Sequence, residues 1–137
     1  MTTIDMQTMR YINLLDKASH VKTRKCFLYN NIIIFAVPRA FMSQAIGPDA
    51  THIRFIQEQI GKRIRIIEEV WGVEDSEKFI AAIVAPVTFK SLEIKDNMLI
   101  LTAGSQSKAA LIGRNRRRED ELRQISKDTF DLDLKIV

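Results

Sequence analysis

The apolar residues of the first half of the chain change from helical to extended spacing and back. Apolar side chains three or four positions apart predict a helix over residues 3–19. Runs of β-branched and aromatic residues predict strands at 27–29 and 32–37, and the Asn30-Asn31 pair between them is typical of a tight hairpin. The other elements predicted for this half are helices at 39–46 and 51–60 and a strand at 63–70.

The second half of the chain repeats the first. When Gly47 is placed over Gly113, a gap-free offset of 66 residues (113 − 47) brings "NIIIFAV" over "NMLILTA" and "QAIG" over "ALIG". The same offset places "IRI" at 64–66 over "FDL" at 130–132. The elements predicted for the second half are helices at 76–85, 105–112 and 117–127 and strands at 91–95, 98–102 and 132–137.

This repeat predicts an α+β protein of two similar domains, at residues 1–71 and 72–137. Each domain is expected to be a three-stranded sheet covered by helices, because a sheet with one apolar face must bury that face. Trp71 stands at the junction of the two halves. We expect its indole to be buried in the seam between the domains, with base stacking as the alternative.

Composition narrows the class of partner. The net charge of +4 and the pI of about 9.4 favour a polyanion such as nucleic acid. The single cysteine cannot form an intramolecular disulfide, which fits a reducing compartment. The first residues lack the apolar core of a signal peptide, and no apolar run approaches the length of a membrane helix. We therefore expect a cytoplasmic protein without a membrane or small-molecule partner.

No group of residues predicts an enzyme. His20 and His52 lack metal-ligand partners at useful spacing, and no Ser/His/Asp or Cys/His arrangement stands out. The phosphate-binding pattern G-x-x-x-x-G-K is absent from the sequence. We expect neither catalysis, nor a metal site, nor a cofactor.

The two halves share a glycine loop between two helices. The second helix presents unpaired N–H groups and the positive end of its dipole, and both favour an anion. A residue without a side chain lets a phosphate approach the backbone, and the KH module uses such a G-x-x-G loop to hold about four nucleotides. We therefore predict RNA contacts from Gly47, Pro48, Ala50 and Thr51 in the first half and from Lys108, Gly113, Arg114, Asn115, Arg116, Arg117 and Arg118 in the second.

Residues 62–113 resemble the tandem-KH region of the NusA family of transcription factors. The resemblance is strongest in "IRIIE", "EKFIAAIVAP" and "ALIG", and it extends more loosely over nearly the whole chain. It implies two tandem KH domains of the second type that bind single-stranded RNA of the nascent transcript. It also implies a role in transcription termination or antitermination and contact with RNA polymerase. Bacterial members carry further N-terminal domains for which this chain has no room, so the short archaeal form is expected.

Both loops lack the second glycine of G-x-x-G, and the first loop carries an acid. Its sequence is Gly47-Pro48-Asp49-Ala50. Asp49 is expected to cap the N–H of Thr51 or His52 and so to compete with a phosphate. We therefore expect the first loop to bind RNA weakly unless a nearby cation compensates. The candidates for that compensation are Arg54, Lys62 and Arg63.

The second loop carries four arginines, at 114 and at 116–118. They repel one another at a helix start whose dipole also disfavours cations, and a bound phosphate would relieve both effects. The alternative is a solvated face, in which Arg116 pairs with Asp120 and Arg117 with Glu121 at i,i+4.

Two functions remain open from the sequence. The first is a single-stranded RNA-binding protein of transcription, with the RNA held mainly at the second loop and with unstacked bases over an apolar groove. The alternative is a KH module that docks on RNA polymerase or the ribosome without binding RNA directly. Candidates for the groove, each of which could equally belong to the core, are Ile46, Ile53, Leu111 and Ile112.

Overall fold

A computed structural model describes residues 6–137 of the chain. The chain divides into two compact units, one ending at Glu69 and the other covering Val70–Val137. Within the described residues each unit has three α-helices and one three-stranded sheet. The predicted α+β class is therefore confirmed. No helix in this part of the chain is both long and apolar enough to cross a membrane.

The first unit runs helix, strand, strand, helix, helix, strand. Asn30 and Asn31 both have a left-handed φ, of 50° and 61°, and they form the predicted hairpin turn. The elements are α1 (Met6–Ser19), β1 (Lys25–Tyr29), β2 (Ile32–Val37), α2 (Met42–Ile46), α3 (Thr51–Ile60) and β3 (Arg63–Glu68).

The sheet of the first unit is mixed, with β2 in the centre. β1 pairs with β2 antiparallel, and β2 pairs with β3 in parallel, with Ile33 opposite Ile64. The parallel pairing requires a crossover from β2 to β3, and α2 and α3 supply it. The helices pack on one face of the sheet through buried residues including Leu15, Phe35 and Ile56.

The second unit repeats this order and this mixed sheet. β4 pairs with β5 antiparallel, and β5 pairs with β6 in parallel. Its core includes an edge-to-face contact between Phe79 and Phe130, whose ring centroids are 5.6 Å apart. The elements are α4 (Ser76–Val84), β4 (Ser91–Lys95), β5 (Met98–Thr102), α5 (Ser105–Ile112), α6 (Arg117–Phe130) and β6 (Asp133–Ile136).

The gap-free repeat fails after the second loop. α6 has 14 residues and α3 has 10, a difference of about one helical turn. The residue that matches Ile64 is consequently Leu134, which pairs with Leu99, so the offset becomes 70 (134 − 64). The predicted match of "IRI" with "FDL" is therefore wrong, because Phe130 is the last residue of α6 and contacts Phe79.

Several smaller predictions at element ends and one at the junction are also wrong, including the start of β1, the end of α4 and the bounds of β6. The strand predicted to reach residue 70 ends at Glu68, and the last helix continues to Phe130 rather than ending at 127. Trp71 was expected to be buried, but 86% of its surface is exposed. It lies in the short segment after β3, where the extended strand has ended and the next helix has not begun.

Candidate nucleic-acid interface

The two glycine loops have the same backbone conformation despite different sequences. Gly47 has φ 80° and ψ 163°, and Gly113 has φ 74° and ψ 175°. This region is accessible almost only to glycine. In each loop a 3-10 turn follows, closed by a hydrogen bond from the N–H of Ala50 to Gly47 O at 3.1 Å and from Arg116 to Gly113 O at 3.2 Å. The two loops therefore match in their backbone angles and in the hydrogen bond that closes the turn.

The last two positions of each loop are left-handed. Asp49 and Asn115 have φ of 53° and 56°, and Asp and Asn tolerate this conformation. Ala50 and Arg116 follow with φ of 58° and 59°, at the place where a full KH loop has its second glycine. A side chain at such a φ costs roughly 1–2 kcal/mol. Both loops therefore keep a conformation suited to glycine without having the glycine.

Neither loop caps the helix that follows it. The residues at the caps of α3 and α6, Ala50 and Arg116, provide no side-chain hydrogen bond to the first helical N–H groups. Asp49 was predicted to cap α3, and this prediction is wrong. Its left-handed position lies one residue before the cap, and its exposed carboxylate accepts no hydrogen bond within the described residues.

The missing side chain of each glycine leaves room for a side chain from the next helix. A Cβ on Gly47 would lie 2.7 Å from Cγ of His52, and a Cβ on Gly113 would lie 2.8 Å from Cγ of Arg118. We expected this space to admit a phosphate. The side chains of His52 and Arg118 occupy the space on the side of the missing Cβ. A phosphate must therefore approach each glycine from another side.

His52 and Arg118 also make equivalent hydrogen bonds. His52 Nδ1 donates to Gln44 O at 2.8 Å, and Arg118 Nη1 donates to Ala110 O at 3.1 Å, each bridging eight residues. Since a carbonyl oxygen only accepts, the proton of a neutral His52 must be on Nδ1. Sequence reasoning missed this bridge, although both residues follow their glycine by five positions and both can donate.

A second arginine of the loop is engaged by an acid. Arg116 Nη1 lies 3.4 Å from Oε1 of Glu119, whose side chain is largely buried. The alternative of a solvated face paired Arg116 with Asp120 at i,i+4, whereas the structure pairs it with Glu119 at i,i+3. Arg116 stands before the first helical residue in a left-handed conformation, so its side chain does not follow the i,i+4 row of the helix.

Arg114 and Arg117 are the two arginines of this loop that stay available. Both are exposed, and neither has a side-chain partner among residues 6–137. The pair of Arg117 with Glu121, which belonged to the alternative of a solvated face, is therefore absent. Asn115 between them is exposed, and Lys108 on α5 is half-buried. Two exposed guanidinium groups thus stand at the uncapped start of a 14-residue helix.

The first loop has fewer cations in reach. Pro48 and Thr51 are exposed, and Arg54 is exposed about one turn into α3. Lys62 cannot compensate for Asp49, because it follows α3 at the other end, about 15 Å away at 1.5 Å per residue. Its ammonium group donates to Asn31 Oδ1 at 2.8 Å, and the neighbouring Arg63 begins β3 at that same end.

The four apolar groove candidates separate by burial. Leu111 is fully buried and belongs to the core. The other three are half-buried: Ile53 packs against the core of the first unit, and Ile46 and Ile112 lie at the ends of α2 and α5. Of the four candidates, Ile46, Ile53 and Ile112 keep apolar surface next to a loop.

An ion pair joins the middle of α6 to β6. Arg123 Nε and Nη2 donate to the two carboxylate oxygens of Asp133 at 3.0 and 3.2 Å. These bonds, with the N–H of Leu134, hold the pKa of Asp133 below its ordinary value. The pair raises the pKa of Arg123, chiefly through the same hydrogen bond.

The chain is similar in sequence to a known protein over nearly its whole length. No family model matches the chain. Over 134 residues it is 25% identical to the "Probable transcription termination protein NusA" of Halococcus morrhuae, a match that covers 96% of this chain and 94% of that protein. The chain is similar to an archaeal NusA. The resemblance that its sequence carries is therefore confirmed.

A solved structure has the same fold over nearly the whole chain. The crystal structure of APE1850 superposes with a TM-score of 0.69, covering 98% of this chain and all of that one. At 21% identity, this likeness concerns the fold alone. The overall fold of the chain is thus shared with an experimentally determined structure.

Proposed function

We propose that this chain is a single-stranded RNA-binding protein without enzymatic activity that acts in transcription termination or antitermination. Its two units would be tandem KH domains of the second type, and its RNA would be the nascent transcript. The name of the Halococcus relative supports the link to termination. The repeated helix–loop–helix supports the KH assignment, since KH modules hold RNA at such a loop. We propose that the chain uses neither a cofactor nor a metal. We propose RNA polymerase as a further partner.

The observation that carries this proposal is the pair of available arginines at the start of α6. Arg114 and Arg117 have no acidic partner among the described residues, unlike Arg116 with Glu119. The helix dipole makes this an unfavourable place for cations unless an anion binds there. A phosphate would accept charge-assisted hydrogen bonds from both guanidinium groups and from the uncapped N–H groups.

RNA affinity would come mainly from the second loop. The first loop has the same backbone but presents Asp49 and Pro48 where the second presents Asn115 and Arg114. The carboxylate of Asp49 repels a phosphate without being neutralised by a described partner. We propose that the first loop contributes backbone contacts through Gly47, Ala50 and Thr51 and little electrostatic attraction.

The test is a double charge reversal, Arg114→Glu with Arg117→Glu. We expect the affinity for a mixed-sequence single-stranded RNA to fall at least tenfold in a filter-binding assay. The dependence of affinity on salt should also weaken, by a slope of about 1.4 for two phosphates on a single strand.

The matched control is Arg63→Glu with Lys95→Glu, which changes the net charge equally. Both residues are exposed, and each lies at a strand end away from the glycine loop of its own unit. Binding that stays unchanged in the loop variant, or falls as far in the control, contradicts the proposal.

A second candidate function rests on Trp71. An indole that is 86% exposed, followed by the exposed acids Glu74 and Asp75, is a surface suited to a basic protein partner. On this alternative the chain docks on RNA polymerase or the ribosome without binding RNA itself. A pull-down that survives nuclease treatment and is lost with Trp71→Ala would favour docking. Loss of the pull-down on nuclease treatment would favour the RNA.

A further inference from the structure

We infer that His52 and Arg118 are equivalent positioning residues that clamp each glycine loop to the helix before it, and that Arg118 does not contact RNA. We call the hydrogen bond from each of these side chains to the preceding helix the loop clamp. The clamp is independent of any ligand, whereas the statement about RNA rests on the proposed function.

The loop clamp satisfies one particular carbonyl group. The last carbonyls of a helix lack partners within that helix. In α2 the N–H of Gly47 takes Ser43 O, and in α5 the N–H of Gly113 takes Ala109 O. The next carbonyl in each helix, three residues before the glycine, is the one that His52 or Arg118 reaches.

Two unrelated side chains perform this bond at one position. A flat imidazole and a long guanidinium share neither size nor shape, yet both lie against their glycine and reach the same carbonyl. The backbone therefore selects for a hydrogen-bond donor at this position. The size, shape and charge of the donor differ between the two units. This also accounts for the first glycine of each loop, because a Cβ would collide with the clamp as well as strain φ.

The clamp explains why Arg118 is tolerated at the start of a helix. The dipole of α6 disfavours a cation in its first turn. The guanidinium of Arg118 is bonded to the end of α5, where the dipole favours a cation and where Arg commonly caps carbonyls. Its stem lies against Gly113, so the side chain leads toward α5 rather than toward the free N–H groups of α6.

The test compares Arg118→His, which transplants the clamp of the first loop, with Arg118→Ala, which removes it. The control is Arg117→His at the neighbouring exposed position. At about pH 8 the introduced imidazoles are mostly neutral, since their ordinary pKa is about 6.5. Two quantities are measured: hydrogen exchange of the Gly113 and Arg116 amides, and the salt dependence of binding to a mixed-sequence single-stranded RNA.

We expect Arg118→His to keep slow exchange and to leave the salt slope within error of the parent chain. Arg118→Ala should speed the exchange of both amides at least tenfold and weaken RNA binding several-fold without changing the slope. Arg117→His should lower the slope by about 0.7, as loss of one phosphate contact does on a single strand.

The outcomes separate the two proposals. A slope that falls as far in Arg118→His as in Arg117→His makes Arg118 an RNA contact and overturns the inference. Unchanged exchange in Arg118→Ala overturns the clamp itself. If the parent chain binds no RNA, the proposed function fails, while the exchange rates of Arg118→His and Arg118→Ala still decide the clamp. His52→Ala gives an independent readout on the Gly47 and Ala50 amides of the first loop.

Discussion

The two glycine loops share a backbone conformation and differ in the charge of their side chains. Their glycines differ in φ by 6° (80 − 74), and their left-handed residues coincide as closely. Yet the first loop carries Asp49 and the second carries Arg114 and Arg117. Hydrogen bonds within the loop and from the clamp determine its shape, whereas the exposed side chains are not required for it. The exposed residues Pro48, Asp49 and Thr51 therefore differ in charge from their counterparts Arg114, Asn115 and Arg117 without a change of backbone.

The largest effect should come from the glycines themselves. Gly47→Ala and Gly113→Ala each place a Cβ in a conformation reserved for glycine, which costs roughly 1–3 kcal/mol. The cost should be larger at Gly47, where the Cβ meets a rigid imidazole ring and a backbone nitrogen, than at Gly113, where it meets the flexible stem of Arg118. Thermal unfolding of both variants measures the difference. Equal destabilisation would show that the clamp side chains do not distinguish the loops.

A transplant of the second loop into the first should create a second RNA grip. The variant Pro48→Arg, Asp49→Asn, Thr51→Arg copies the residues at 114, 115 and 117 onto the same backbone. We expect RNA affinity to rise several-fold and the salt slope to steepen by about 1.4. Asp49→Asn alone is the control for removal of the acid. No gain from the transplant would mean that backbone likeness does not make the loops interchangeable.

A smaller effect should follow from restoring the absent second glycine. Ala50→Gly removes a Cβ from a left-handed residue whose side chain makes no capping hydrogen bond, and should stabilise the first unit by about 1 kcal/mol. Arg116→Gly relieves the same strain but also loses the ion pair with Glu119, so its gain should be smaller. Chemical denaturation measures both. A destabilised Ala50→Gly would contradict the strain assigned to this position.

The smallest effect concerns the amide of the second residue in the last strand of each unit. The first unit satisfies the N–H of Ile64 with Gln57 Oε1, and the second satisfies Leu134 with the Asp133 carboxylate. Because the folded chain lowers the pKa of Asp133, its contribution to stability is complete above the ordinary carboxyl pKa. It is lost as the pH falls through the lowered value. The pair with Arg123 is exposed, so the effect should be small and sensitive to salt.

Asp133→Asn tests this by removing the carboxylate. Stability followed against pH should depend less on acidity in the variant than in the parent chain, with the two curves converging at the lowest pH. Gln57→Glu in the first unit is the companion variant. It replaces the neutral side-chain amide that accepts the hydrogen bond of the Ile64 N–H with a carboxylate. Parallel curves for Asp133→Asn and the parent chain would show that the pair does not contribute.

Regular elements were the part of the fold most accessible from sequence. The strands at 32–37 and 91–95 and the helices at 51–60 and 105–112 have the predicted bounds. Their apolar periodicity is local, so it needs no knowledge of the fold. The end of α6 was missed because the helix has about one turn more than its counterpart. Its continuation to Phe130 is stabilised by contact with Phe79, which lies far away in sequence.

The sequence by itself determined the repeat, the α+β class, the positions of the two loops and the concentration of arginine in the second. Each of these follows from composition or from spacing along the chain. Only the tertiary structure decided which arginines are available, because that depends on side chains meeting groups brought near by the turn of the loop. Arg118 reaches a carbonyl eight residues back and Arg116 an acid three residues ahead, while Arg114 and Arg117 stay exposed. Four like residues thus have different roles, since the left-handed loop directs each side chain differently.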